Sequence, residues 1–286
     1  MKRLLLLITI CISSVSFGQV PNYVPINGLV GWWGFNGNAN DVSGNGYDGT
    51  VNGATLTTDR FGNPNSAYDF DGVNDYISLD ALFNFPSRSI SFFIFPDATP
   101  PSNSSGYNES IIFDQQTNQL NYGATQVEFN SEHEIIGQVG VNTNLSGSSD
   151  SLALNVWHHV VFVIDTDSAS LYVDANFYAS LPSDNTSGSG SNNMAFIATK
   201  YTLSDFFNGK IDDIGIWNRA LSECEITELY TGQDCNVGVS ELNSNQPKEL
   251  IKIVNLLGQE VEYTPNTVLI YQYSDGTSEK VFIIED

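Results

Sequence analysis

From Gly28 to about Asp234 the chain repeats one pattern. Short apolar or alternating runs are broken by clusters of Gly, Asn, Asp and Ser, at the roughly ten-residue spacing of an all-β protein. Ser89–Phe95 and Val156–Ile164 are dense in β-branched and aromatic residues, and so are Leu171–Val173 and Ile211–Trp217. Each run has one face to bury, and the economical way to bury many such faces is to oppose two sheets. The fold expected is therefore an all-β, two-sheet β-sandwich forming one domain.

One segment breaks the pattern. Ser222 and Glu225 have capping-box spacing, Ile226, Leu229 and Tyr230 recur at helical intervals, and Gly232 supplies a stop. A short C-terminal helix over 222–231 follows. Cys224 would lie in its first turn and Cys235 just past its end.

The N-terminus reads as an address. Lys2 and Arg3 precede the apolar run Leu4–Ile12, and Ser16-Phe17-Gly18 offers small residues for cleavage after Gly18, so residues 1–18 are expected to be a signal peptide. A lipoprotein reading would need a small residue before Cys11, where Ile10 stands. The apolar run is shorter than the about 20 residues of a membrane span, and no later segment qualifies, so no transmembrane segment is expected in the mature protein. Cleavage removes Cys11 and leaves Cys224 and Cys235, a pair that in an exported chain reads as a disulfide.

Charge narrows the partners. Lys and Arg number 10 against 33 Asp and Glu, a net charge of −23. Nucleic acid is excluded as a partner, because phosphate binding needs a basic stripe. An anionic membrane surface is disfavoured for the same reason.

The residues also carry a resemblance. Gly28-Leu29-Val30-Gly31-Trp32-Trp33 with Phe35–Asp41 and Ser43–Gly46, then Ala67–Gly72 with Asp75-Tyr76-Ile77, then Trp157–Val160 and Leu171–Asp174, then Gly209–Ile214 through Trp217–Ser222, stand in order along residues 19–238. This series resembles the laminin-G-like, concanavalin A-like lectin/glucanase jelly roll. Where that family usually has Asp-Gly in the central hairpin, this chain has Asp174-Ala175-Asn176; keeping the turn would put a positive φ on Asn176 or cost strain. After a polar linker, 239–247, the short runs within 248–286 resemble the type A sorting domain of the Bacteroidetes type IX secretion system. That family usually has a Gly ahead of the Leu-Ile-Tyr strand, where Thr267-Val268 stand here. The resemblance implies the type IX secretion machinery as a partner, and a secreted or outer-membrane cell-surface location.

Candidate chemistry is sparse. Strand parity groups Asp212 with Ile214 and Ile216, and Asp213 with Ile211 and Trp217, so one acid lies at the edge of an apolar face and must find donors or a cation. The run Asp41–Gly46 is rich in hard oxygen ligands, and the resemblance implies a structural calcium where the opening loop meets the closing strand. Asp41 and Asp212 are the metal candidates; the other reading is Asp residues capping turns. Glu128, Asn130 and Glu132 fall on one face of a strand, similar to the paired acids of family 16 glycoside hydrolases, but with Asn130 in place of the central Asp and a short glutamate spacing. Glu128 and Glu132 are therefore the candidates if the chain is an enzyme acting on glycosyl bonds. His158 and His159 point to opposite faces and do not suit one metal. Ser187–Ser191 lacks the lysine of a phosphate loop. These features favour a secreted binding module for a glycan or surface protein over a glycoside hydrolase or polysaccharide lyase; a non-catalytic structural adhesin is the third reading.

Overall fold

The computed structural model describes residues 19–101, 109–115, 125–139, 143–146, 151–182, 194–235, 250–255, 258–274 and 278–282. Residues 1–18, 187–191 and 239–247, read from the sequence as signal peptide, loop and linker, lie outside the described residues. The chain divides into two compact units, Met1–Cys235 and Asn236–Asp286. Among the described residues no helix is long and apolar enough to cross a membrane.

In the first unit the strands are β1 (Leu29–Trp33), β2 (Gly49–Asn52), β3 (Thr55–Thr57), β4 (Ala67–Asp71), β5 (Tyr76–Leu79), β6 (Arg88–Pro96), β7 (Glu109–Gln115), β8 (Thr125–Asn130), β9 (Ile135–Val139), β10 (Thr143–Ser146), β11 (His158–Ile164), β12 (Ser168–Val173), β13 (Asn176–Pro182), β14 (Ala195–Ile197) and β15 (Asn208–Trp217). The helix α1 (Glu223–Thr231) follows. Eight strands form one sheet in the order β13-β12-β11-β6-β15-β4-β3, with β1 also paired to β15. Seven form the other, in the order β10-β9-β8-β7-β14-β5-β2. Strands distant in sequence are neighbours in both, as a jelly roll requires.

Alternation along each strand builds the core. Ile90, Phe92 and Ile94 of β6 meet Val160, Phe162 and Ile164 of β11 on the inner face, against Val127 and Phe129 of the opposite sheet. Val161, Val163, Trp32 and Trp217 point the other way and form a second cluster with Val24, Leu221, Ile226 and Leu229. Thus α1 and the segment before β1 cover part of the outer face of the eight-stranded sheet. The helix is held at both ends. Ser222 and Glu225 complete the capping box and Gly232 closes it at φ 69°. Cys224 and Cys235 form the disulfide. Arg219 donates to both oxygens of Glu225 at 2.8 and 2.6 Å.

Two local features differ from expectation. In the turn between β12 and β13 the left-handed residues are Asp174 (φ 50°) and Ala175 (φ 61°), while Asn176 already begins β13. A tight turn of mirror-image type needs positive φ at both central positions, so the strain falls on Ala175 rather than on Asn176. The core also holds a charge that the hydropathy pattern does not announce. Arg88 is fully buried and donates to Thr125 Oγ1 and the Phe85 carbonyl, with burial lowering its pKa to about 10.

In the second unit β16 (Leu250–Val254), β17 (Val268–Tyr273) and β18 (Ser278–Phe282) form an antiparallel three-stranded sheet around Val254 and Leu269. Asn266 takes φ 57° just ahead of β17, a conformation that asparagine tolerates better than most residues.

Candidate functional site

The chemistry-bearing residues sit where two strands depart from strict alternation. In β15 the register against β6 runs from Asp212 opposite Phe93 to Gly215 opposite Ser91, so the ladder gains a residue. Asp213 occupies the bulge at φ 46°. Ile211, Ile214 and Ile216 therefore all face the core, and Asp212 and Asp213 both face outward. This corrects the parity that put the two acids on opposite faces: a one-residue insertion resets the period. In β7 the register against β8 shifts between Ile111 and Phe113. Ile112 and Phe113 both enter the core, which returns Asp114 to the outward face shared by Glu109.

On the eight-stranded sheet the outward acids meet Arg60, from the loop between β3 and β4. Its Nη1 donates to Asp213 Oδ2 and lies 3.4 Å from Asp212 Oδ2; its Nη2 is 3.2 Å from the Tyr23 hydroxyl. The guanidinium is sandwiched between the Phe93 ring at 3.8 Å and the Phe61 ring at 4.3 Å. Phe93 stacks in turn on His159, and His159 on Tyr230 of α1. Burial, then Asp213, raises the Asp212 carboxyl well above the usual range. Burial also raises Asp213, against the pull of Arg60. Burial lowers the His159 imidazole to about 3, so the ring is neutral and bonds Ser91 Oγ at 2.8 Å. Sequence reasoning missed Arg60; the signal was its rarity, one of 10 basic residues in a strongly acidic chain.

Asp41 has a different task. Its Oδ1 accepts from the backbone N–H of Trp32 at 3.0 Å and Ser43 at 2.8 Å, and its Oδ2 from that of Tyr47 at 3.0 Å. It ties the loop after β1 to the strand. Asp41 thus carries three backbone donors and Asp212 faces a guanidinium, an arrangement that does not fit a calcium ion shared between them. Among the described residues the one close group of three His, Cys, Asp or Glu ligand atoms is Cys224, Glu228 and Cys235, which holds the disulfide.

The outer face of the seven-stranded sheet carries the second set of acids. Glu128 accepts from Gln138 Nε2 at 2.9 Å, and Glu109 lies on the neighbouring strand of the β7–β8 ladder. Burial first, and Glu109 second, raises it to about 8. Lys200 Nζ lies 3.4 Å from Glu109 and 3.7 Å from Asp205. Asp114 Oδ2 accepts from the Tyr201 N–H at 2.7 Å, its Oδ1 is buried with no partner, and burial raises it to about 7. Glu132 is not on this face. The strand ends at Asn130, and Glu132 sits exposed in the following turn, its N–H donating to Asn130 Oδ1 at 3.0 Å. The carboxyl that acts on Glu128 is Glu109, nineteen residues upstream and invisible to local spacing. The two histidines diverge as alternation requires, His158 pairing with Asp174 at 2.9 Å.

Known proteins supply the comparison. No curated protein matches the sequence. The family described as the concanavalin A-like lectin/glucanases superfamily matches residues 71–227. Among solved structures, domain 4 of AbnA, a GH43 extracellular arabinanase from Geobacillus stearothermophilus in complex with arabinotriose, superposes at a TM-score of 0.57. It is 17% identical over 71% of this chain and 98% of that one. The binding domain of Paraclostridial Mosquitocidal Protein 1 gives 0.58 at 17% identity, over 86% of this chain and 64% of that one. Trypanosoma rangeli sialidase gives 0.54 at 19% identity, over 74% of this chain and 34% of that one. The chain thus spans nearly all of the arabinanase domain, under two thirds of the second structure and a third of the sialidase. At such identities the likeness is one of fold.

Proposed function

Because the chain belongs to the concanavalin A-like lectin/glucanase superfamily, we propose that it is a secreted or cell-surface binding module whose sandwich presents a glycan-binding face. One observation carries the choice of binding over hydrolysis. Glu128 lies in β8, whereas Glu132, the second acid of the candidate pair, sits exposed in the turn beyond the end of that strand. Retaining hydrolysis uses carboxyls about 5–5.5 Å apart, and inverting hydrolysis about 6.5–9.5 Å, so that a glycosidic oxygen or a water fits between them. Glu132, off the face that carries Glu128, does not flank such a gap with it. The arabinotriose bound to the similar arabinanase domain supports a glycan as ligand. A protein on a neighbouring surface is the second partner of the same reading. The test is a glycan array with a reducing-sugar assay on its hits. Retention of one glycan class without release of reducing ends is expected; turnover abolished by Glu128→Gln would replace this reading with the hydrolase.

The route to the surface is part of the proposal. The amino-terminal segment 1–18 acts as a signal peptide, and 248–286 as a type IX sorting tail of a Bacteroidetes protein, with a linker over 239–247. Its support is the run pattern of the sequence and the separate three-stranded unit. Deleting 248–286 is expected to trap the protein in the cell envelope; normal export of the truncated chain would reject the sorting role.

A further inference from the structure

His158 and His159 stand side by side on β11 and face opposite ways, and their ring nitrogens meet different surroundings. His159 has Ser91 Oγ at 2.8 Å on Nε2, while its buried Nδ1 has no partner among the described residues. His158 has an oxygen at each nitrogen. Asp174 Oδ2 lies 2.9 Å from Nδ1, and the Ala153 carbonyl 3.1 Å from Nε2. A carbonyl only accepts, and so does an ionised carboxylate, so both nitrogens of His158 must donate. A neutral imidazole carries one N–H in either tautomer and would turn a lone pair towards one of the two oxygens. The geometry therefore requires the imidazolium. Burial pulls the ring's pKa down, but Asp174 and then the Ala153 carbonyl outweigh it, so the value stands above the ordinary 6.5.

The two oxygens belong to different segments. Asp174 sits in the left-handed turn between β12 and β13, where its Oδ1 also accepts from the His159 N–H at 2.8 Å. Ala153 lies in the stretch 151–157, which leads into β11 of the eight-stranded sheet after β10 of the seven-stranded one. Little else holds that stretch. Leu152 reaches the core and Leu154 packs partly against it, while Ala153, Asn155 and Val156 are exposed. The Leu152 N–H donates to the His133 carbonyl and the Asn155 N–H to the Pro96 carbonyl, each at 2.8 Å.

Loss of the ring proton acts on the two His158 bonds unequally. The remaining N–H stays with the carboxylate, because a charged acceptor holds a donor more strongly than a neutral carbonyl does. Nε2 then faces the Ala153 oxygen lone pair against lone pair, and the stretch loses its tie to β11. We propose that His158 is a pH-sensitive latch on the 151–157 loop, closed while the imidazolium bridges Asp174 and Ala153 and released once the ring is neutral. The sign follows from the raised value: the latch is complete below pH 6.5 and is lost as pH climbs through the folded value. The other titratable groups nearby have other tasks. His159 is neutral on the opposite face, and Tyr230 of α1, raised by burial and then by Asp174, keeps its proton through this range. In the turn that receives the Leu152 N–H, the His133 ring meets Thr99 Oγ1 at 2.7 Å, Glu132 accepts from Ser131 and Glu134 from Asn130.

Amide hydrogen exchange of the full chain from pH 5 to 9, corrected for the intrinsic rate at each pH, tests the latch in wild type, Asp174→Asn and His158→Gln. The Leu152 and Asn155 amides report the loop, and those of Val161 and Phe162 in β11 report the sandwich. In wild type the loop amides are expected to exchange about tenfold faster once the ring is neutral, with the β11 amides unchanged. Asp174→Asn keeps an acceptor for the His159 N–H and suits the left-handed turn, but removes the charge, so the step is expected at lower pH. His158→Gln is expected to abolish the step. Nitrogen NMR of the wild type, which needs no variant to fold, is expected to show both His158 ring nitrogens protonated at pH 5. A wild type with no step, a step that Asp174→Asn does not move, a step that survives in His158→Gln, an equal step in the β11 amides, or a singly protonated ring at pH 5 each overturns the latch.

Discussion

The two outer faces of the sandwich solve the same problem by different means. Each buries carboxyls on a strand that carries a bulge. On the eight-stranded sheet Asp212 and Asp213 receive a cation, Arg60, and lie beside a face partly roofed by α1. On the seven-stranded sheet, among the described residues, Asp114 has no cation in hydrogen-bond contact, and Glu109 adds to the effect of burial on Glu128, so both hold a proton into the neutral range. A buried charge must be matched or removed: Arg60 pulls against the rise that burial causes at Asp212 and Asp213, while Asp114 and Glu128 are raised with a weaker pull from Lys200. The first face thus depends on a single cation, and its pH response comes from His159 on the acid side; the second responds through Asp114 and Glu128 with the opposite sign.

The largest effect expected from this contrast comes from removing the cation. Arg60→Ala leaves two buried acids facing each other and should cost about 3–5 kcal/mol in chemical denaturation. Lys200→Ala on the opposite face, where the amine is a quarter exposed, should cost no more than about 1 kcal/mol. Equal losses would erase the distinction between the faces.

A smaller effect is the shape of stability against pH. Folded His159 titrates at about 3 against an ordinary 6.5, so the unfolded chain takes up a proton that the folded chain refuses. Stability is then lost as pH falls below 6.5. Asp114 and Glu128 are raised to about 7 and about 8 from 3.8 and 4.5, so their contribution is complete below the ordinary values and is lost as pH climbs through the folded ones. Each group contributes up to about 1.4 kcal/mol per pH unit inside its window. Melting curves from pH 4 to 9 should show His159→Phe removing a loss of stability as pH falls below 6.5, and Asp114→Asn removing a loss of the opposite sign as pH climbs from about 4 to about 7. The reverse assignment would break the comparison.

Much of this was legible in the sequence. The runs at Ser89–Phe95 and Ile211–Trp217 lie within β6 and β15, and Ser222, Glu225 and Gly232 bound α1, because alternation and capping are local rules. The Cys224–Cys235 bridge followed from counting cysteines. The site was less legible for reasons of range. The bulge at Asp213 is defined only against β6, a partner more than a hundred residues away. Arg60 reaches Asp213 across 153 positions. Spacing placed Glu132 on the strand with Glu128, but the strand stops at Asn130 and the acid that acts on Glu128 belongs to β7.

The extra residue at Asp213 also sets the phase of everything after it. Upstream of it β15 shows its even-numbered side to the outside; downstream, Trp217 and the odd-numbered side take that role. A chain one residue shorter at this point would turn its far half inside out, driving the indole inward and presenting isoleucines to the helix. The acids, the tryptophan and the seating of α1 are thus geared to a single insertion, and no one of them can be moved along the strand without the others.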